Sequence, residues 1–429
     1  MVAKSKDIKF AGDINVEHVS ITSLVNGKKF NVTDQLLSIS IFEDLFSPFI
    51  TGSLIFRESL DFASNFPFIG EEVIDLRMFT PTLDKDPNAI ITGRFYIYKM
   101  ADREKVAERS IVYQLHFISV EAINDINTKI SEGFEGQIHE IVAKLLSSNY
   151  LSSTKKHIIN PTSNKTKYIS NFWSPIRNIN FLTERALDTN NNPTYIFFEN
   201  RQGFNFVTLD SLNSKEPFQE FLYNQNQDSV TPGGGSKRVV ELDFKKITDM
   251  EIPITHDYMD RITSGTYGST IIFMDLVKKK YMKTSNNYLA NWQSGSETHL
   301  NKYPIASTSI LASTRATMFN DTIQNNLFTD YEDVSSVPMR LKRISRLKAA
   351  ESFTIKIVVA GRTDYTVGQK VFLKSYKTEP IKKDDPEDKI IDKVISGNYL
   401  IASINHVMDR QKHECHMNLI KDSLMVNLG

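Results

Sequence analysis

The chain has 429 residues with ordinary apolar (40%) and charged (24%) fractions, and its 51 Lys+Arg balance 51 Asp+Glu to a formal charge of zero. That length exceeds what a single core covers and points to several domains of about 100–150 residues. The charge balance removes any electrostatic case for nucleic acid or an acidic membrane as partner, which leaves proteins. The single cysteine, Cys415, excludes an internal disulfide and a multi-cysteine zinc site, and fits assembly in a reducing cytoplasm.

Residues 1–13 are polar and basic and are expected to form a flexible arm. No secretory signal and no run of about 18 uncharged apolar residues is present, so neither export by a signal peptide nor a membrane anchor is expected. A first β unit is expected over 14–128. Val19 and Ile21 lead into the Asn26-Gly27 hairpin signal, and Leu37, Ile39 and Ile41 alternate with serines. Phe49–Phe56 and Val73–Phe79 add strands, with Pro48 marking a strand start or edge. The charged run Ala101–Lys105 reads as a solvated hairpin tip, followed by alternating Ile111, Tyr113, Leu115 and Phe117.

From Ser131 the period becomes helical. Ile138, Ile141, Val142, Leu145 and Leu146 form one stripe, which predicts an amphipathic helix over Gly136–Ser148. Ser174 as N-cap and Pro175 at the first helical position start a second helix carrying Ile176, Ile179, Leu182 and Ala186. Thr194–Phe198 and Gly203–Leu209 read as a hairpin, which completes an α+β module over 129–237. The module ends in a glycine-rich linker, Thr231–Lys237, without Walker spacing. Val239–Phe244 and Ser269–Val277 are expected strands of a second β unit spanning 238–277 and 339–425. Residues 278–338 form an insertion, with a helix expected around Ser313–Asn325. In Met339–Ala350, Leu341, Ile344 and Leu347 recur at helical spacing among five basic residues. Packing of that helix on a barrel is favoured over contact with nucleic acid or membrane.

The C-terminal stretch Tyr365–Ile420 repeats the N-terminal unit. Phe68-Ile69-Gly70 precedes Val73-Ile74 as Thr366-Val367-Gly368 precedes Val371-Phe372. Gly93 sits in an Ile-Thr-Gly-Arg-Phe-Tyr-Ile run as Gly397 sits in Ile-Ser-Gly-Asn-Tyr-Leu-Ile, and Gly93 to Leu115 spans the same separation as Gly397 to Leu419. Two related antiparallel β units at opposite ends of one chain follow, with Gly70, Gly93, Gly368 and Gly397 nominated as turn positions.

Chemical motifs are scarce. The Lys382–Asp388 run has carboxylates but no EF-hand spacing, and reads as a solvated tip. His406, His413, Cys415 and His416 cluster by number. Strand alternation puts His413 and Cys415 on one face and His416 on the other, with no third ligand nearby, so ordinary strand packing is expected and no metal or cofactor is assigned. No nucleophile elbow, metalloprotease helix, kinase set or dinucleotide fingerprint occurs, and Glu71/Glu72 or Glu132/Glu135 do not by themselves argue for glycosidase chemistry. No catalytic residue is nominated. A cell-wall glycosidase or a glycan-binding β protein is the alternative reading, and the latter calls for displayed aromatic rings. Trp173, at a helix start, reads as packed.

The order of a β unit, an α+β module opening on Trp-Ser-Pro-Ile and closing on Thr-Tyr-Ile-Phe-Phe-Glu-Asn-Arg-Gln-Gly-Phe-Asn-Phe, and a second β unit resembles the central baseplate hub proteins of T-even-like contractile-tailed phages. The finish is Gly-Arg-Thr-Asp-Tyr-Thr-Val-Gly-Gln-Lys-Val, Ser-Gly-Asn-Tyr-Leu-Ile and Asn-Leu-Ile-Lys-Asp. It is similar to the same family and to type VI secretion spike hubs. The resemblance implies an α+β, mainly antiparallel β fold with two tail-tube-like barrels, an inserted module and a further insertion. It also implies a non-enzymatic homotrimer that adapts a sixfold tube to a threefold spike. The implied partners are a central spike protein, a tail tube or tube-initiator protein, baseplate wedge proteins and a tape-measure protein in the lumen. The implied location is the virion tail baseplate, assembled in the host cytoplasm.

Overall fold

A computed structural model describes residues 8–58, 66, 70–107, 110–223, 240–255, 257–275, 279–305, 316–320, 336–377, 390–409 and 412–427. The glycine-rich linker at 231–237, the acidic run at 382–388 and most of the 313–325 segment lie outside the described residues. Twenty-three strands occur among those described. They are β1 (Asn15–Ser23), β2 (Lys29–Asn31), β3 (Leu36–Asp44), β4 (Thr51–Glu58), β5 (Glu72–Phe79), β6 (Ile90–Ala107), β7 (Ser110–Ser119), β8 (Gly133–Gln137), β9 (His157–Ile159), β10 (Lys165–Ile169), β11 (Tyr195–Asn200) and β12 (Gly203–Thr208). The second half holds β13 (Gln219–Tyr223), β14 (Ile247–Thr255), β15 (Gly268–Asp275), β16 (Lys280–Asn287), β17 (Tyr303–Pro304), β18 (Ala316–Asn320), β19 (Phe353–Ala360), β20 (Lys370–Ser375), β21 (Gly397–Asp409), β22 (His413–Lys421) and β23 (Ser423–Leu424). None of the described helices is long and apolar enough to cross a membrane.

The expected fold class holds: the molecule is mainly antiparallel β with helices, organised around a 13-stranded sheet. Alternation explains the strands. In β7 the side chains of Tyr113, Leu115 and Phe117 point inward to a core shared with Val19, Ile39, Leu54, Ile74 and Phe95. The second unit has its own core around Ile355, Val371, Tyr399, Met417 and Leu419. Strand order in the first unit is β3-β4-β7-β6-β5-β1, and in the second β14-β19-β22-β21-β20-β13. Even the bulges correspond. β6 slips between Ile97 and Lys99 as β21 does between Ile401 and Ser403, and β3 between Leu36 and Ser38 as β14 does between Ile247 and Asp249. The matched separation of Gly93–Leu115 and Gly397–Leu419 is off by two, because Ile97 faces Phe117 where Ile401 faces Leu419. The first hairpin is the longer one.

Several local expectations are corrected. Val240–Lys245 is a short helix, not a strand, and buries only Phe244. The strand read at Ser269–Val277 is β15, but it pairs with β16 and β18 in a separate sheet. The second unit is completed instead by β14, antiparallel to β19, and by β13, parallel to β20. Within the segment expected to be helical near 313–325, the described residues Ala316–Asn320 form a strand. The run Ala101–Lys105 is not a hairpin tip; it continues β6, paired to β7 as far as Ala107↔Ser110. In the α+β module the two longer helices are Ile138–Leu146 and Pro175–Thr183, the latter capped by the Ser174 side chain accepting from the Arg177 N–H. Their apolar stripes meet the β11–β12 hairpin over Leu145, Ile179, Leu182, Phe204 and Phe206.

Candidate functional site

The four nominated glycines separate into two kinds. Gly70 (φ +90°) and Gly368 (φ +79°) each sit two residues before the matching strands β5 and β20, in a backbone conformation that favours glycine. Gly397 (φ +137°) begins β21, and a Cβ there would lie 2.8 Å from Asn301 Oδ1. Gly93 is a correction: it is no turn but an interior residue of β6 opposite Leu76, where the Phe95 ring occupies the place of a Cβ.

What joins the parts of the chain was not apparent from the sequence. The distal half of β21, Ser403–Asp409, leaves β20 and pairs antiparallel with Asp44–Ser38 of β3, so the two β units share one sheet. Beside this seam Glu43 of β3 is fully buried. It accepts from the Thr366 hydroxyl and, at 3.2 Å, from the Val367 N–H, and it pairs with Arg201 at 3.1 Å. Arg201 sits in the β11–β12 turn and also donates to the Tyr365 carbonyl, so one carboxylate ties both β units and the module. Burial pushes the Glu43 carboxyl up from its ordinary value, against the lowering effect of Arg201. Thr80 and Thr363 add a reciprocal pair, each N–H donating to the other's Oγ1 at 2.9 and 3.0 Å.

Two further buried ionic groups fix the module and the insertion. Glu199 of β11 accepts from Ile50 N (2.9 Å) and Ser119 Oγ (2.6 Å) of the first unit, and meets Lys155 at 2.5 Å. Burial works to lower the Lys155 ammonium, but Glu199 and Glu121 outweigh it and hold it up. In the Ser336–Ala350 helix Lys342, Arg343 and Arg346 turn inward, while Lys348 stays exposed. Arg346, 2% exposed, reaches Asp422 (3.0 Å), Asp210 (3.1 Å), Glu297 (3.4 Å) and the Thr298 carbonyl (2.9 Å). Lys342 bonds Asn192, and Arg343 donates to the carbonyls of Pro193 and Tyr195. Burial works to raise the Asp422 carboxyl, yet His299 and Arg346 outweigh it and hold it well below the usual carboxylate range. These networks lock a scaffold.

The histidine–cysteine group also departs from expectation. His406 of β21 stands directly opposite Cys415 of β22, and with His413 it forms a buried trio. His416 faces away, as strand alternation requires. The third member of the trio, His406, comes from the neighbouring strand. Burial, then the Arg201 charge, pulls the His413 imidazole down to about 3, and burial pushes the Cys415 thiol up. Both imidazoles are therefore neutral near neutral pH.

Apart from the outer sides of the short strands β2 and β13, two edges of the sheet are open among the described residues. β6 pairs with β5 only through Tyr96, so the far side of Lys99–Lys105 carries no strand. β14 pairs with β19 on one side, and on the other the only bridge is Leu222↔Lys246, just before the strand begins. These are the counterparts, unit for unit, of the β21 half and the β3 edge that meet inside the chain.

No family model matches the sequence. A probable baseplate hub protein, gp334 of Vibrio phage KVP40, is 21% identical over 409 residues, covering 92% of this chain and 91% of that protein. Among solved structures, a tail protein from Neisseria meningitidis MC58 superposes with a TM-score of 0.54 at 12% identity, over 94% of this chain and 96% of its own. The 43 kDa tail protein of prophage MuSo2 from Shewanella oneidensis gives 0.52 at 9%, over 95% and 97%. Over most of its length the chain is similar in sequence to a probable phage baseplate hub protein, and its fold is that of solved phage tail proteins.

Proposed function

We propose that three copies of this chain close into a ring of six β units that adapts a sixfold tail tube to a threefold central spike in a contractile tail. The observation that carries this reading is the internal joint between β21 and β3. The same two edges recur unpaired on β6 and β14 among the described residues, so a second copy can repeat the joint head to tail. A heterologous contact repeated about a threefold axis closes into a ring and covers both of these edges. Pro253 within β14 and the φ +41° of Asp102 within β6 are devices that keep isolated edges from promiscuous pairing. On this reading the role is mechanical, without turnover. The partners are the spike on one side, the tube or tube-initiator on the other, wedge proteins at the rim and a tape-measure protein in the lumen.

Light scattering on a sizing column tests it: the expected mass is about 147 kDa, three times the 49.0 kDa chain. Glu104→Cys with Glu251→Cys, joined by a short flexible bis-maleimide, should yield dimer and trimer bands that neither single variant gives. A monomer at tens of micromolar that forms no such bands, with or without a spike protein added, would overturn the reading.

A further inference from the structure

We propose that His406, His413 and Cys415 bind one thiophilic closed-shell cation, Zn2+ or Cu+, as a structural staple between β21 and β22. His406 Nδ1 lies 3.0 Å from His413 Nε2 and 3.3 Å from Cys415 Sγ, and His413 Nε2 lies 3.5 Å from Sγ. The point equidistant from these three atoms is about 1.9 Å from each, so an ion at zinc–nitrogen and zinc–sulfur bond lengths of about 2.0–2.3 Å sits just out of their plane. Two imidazoles and a thiolate form a donor set that selects soft d10 ions over Mg2+ or Ca2+.

The surroundings suit ligands better than a hydrogen-bonded trio. His406 Nε2 faces the Tyr365 carbonyl at 3.2 Å, which places the ring proton there and leaves the Nδ1 lone pair aimed at the centre of the group. The Arg362 backbone N–H points at Cys415 Sγ, as N–H groups do to metal thiolates. In the metal-free trio His413 must donate from Nε2 to bond His406, which strips the proton from a His413 Nδ1 that is buried without a partner. Gly361 makes room for that ring, since a Cβ there would lie 2.3 Å from it. Charge arithmetic separates the two ions. With the thiolate, Cu+ leaves the site neutral and Zn2+ leaves it at one positive charge, beside an Arg201 whose own charge is set against Glu43.

The staple sits where β21 turns from its own unit to β3, since His406 also stands opposite Ile41. Its role is to hold that strand half rigid at the seam.

The test uses the full chain without a histidine tag. Metal content is measured as purified from rich medium, and again after unfolding and refolding with Zn2+, with Cu+ under reductant, or with Co2+ as a spectroscopic stand-in. The expected result is one equivalent per chain, a near-ultraviolet thiolate-to-cobalt band, and a melting temperature raised by Zn2+ or Cu+ but not by Mg2+. The band should vanish in Cys415→Ser and weaken in His413→Gln, with circular dichroism confirming that each variant folds. Whichever of zinc or copper reaches one equivalent in the protein as purified names the ion. A folded wild-type chain with no cobalt band and only substoichiometric zinc or copper after refolding would overturn the proposal. So would equal metal uptake by Cys415→Ser.

Discussion

Arg346→Met removes the one guanidinium that faces Asp210, Glu297 and Asp422 while keeping most of the side chain's volume. The arginine is 2% exposed and makes three charge contacts within 3.4 Å plus a bond to the Thr298 carbonyl. Deleting one partner of a buried ionic group leaves its carboxylates uncompensated, a loss of about 3–5 kcal/mol. The sign with pH is fixed. In the wild type the Asp422 carboxyl is depressed, so its contribution is complete above the unfolded value of about 3.9 and is lost only as pH falls below it. In the variant burial, no longer opposed by Arg346, raises the Asp422 carboxyl, and the fold loses stability as pH climbs through its new value. The gap between the two proteins should therefore be small near pH 4 and widen toward pH 7.5. Trp292 stacks on His299 at 3.5 Å between ring centroids, which makes it a local reporter. Urea unfolding followed by its fluorescence in a Trp173→Phe background isolates this region from the rest of a multidomain chain. An equal deficit at pH 4.5 and 7.5, or one below about 1 kcal/mol, would refute the ionic argument.

Alanine at Gly70, Gly368 or Gly397 forces a side chain into positive φ at about 1–3 kcal/mol each, with Gly397 worst because Asn301 also blocks its Cβ. Unchanged melting temperature and unchanged trimer mass for Gly368→Ala and Gly397→Ala would sink that reasoning. Gly93→Ala should instead act through displacement of the Phe95 ring, so Phe95→Leu in the same chain is expected to restore part of the loss. Lys155→Met leaves Glu199 buried and unpaired, and should speed amide hydrogen exchange at Ile50 and Ser119 while leaving the second β unit protected. Adding Glu199→Gln is expected to recover part of that protection; no recovery would show that the charge was not the cause.

Features under short-range control were legible in the residues alone. Alternation marked β7, and the Ser174–Pro175 start placed the Pro175–Thr183 helix with Ile176, Ile179 and Leu182 inward. The glycines before β5 and β20 exposed the duplication. Local pattern failed where a segment's state depends on a distant partner. Ile247–Thr255, which carries Asp249, Glu251 and Pro253, is not among the expected strands, yet it is one because β19 offers it a free edge. Ser269–Val277 was legible as a strand but not its sheet, since pairing depends on which edge the fold brings near. The Met339–Ala350 stretch was legible as a basic amphipathic helix packed by its apolar side, but the partners of its basic residues were not. Only the tertiary structure brings Asp210, Glu297 and Asp422 from three other segments to neutralise Arg346. His406 was visible as a member of the histidine–cysteine cluster but not as the neighbour of Cys415, because a bulge between Ile401 and Ser403 sets the register that puts the two opposite each other. Local pattern fixes which way a side chain points along its own strand; which side chains meet across strands is a long-range choice, made by the register and burial that the whole chain finds together.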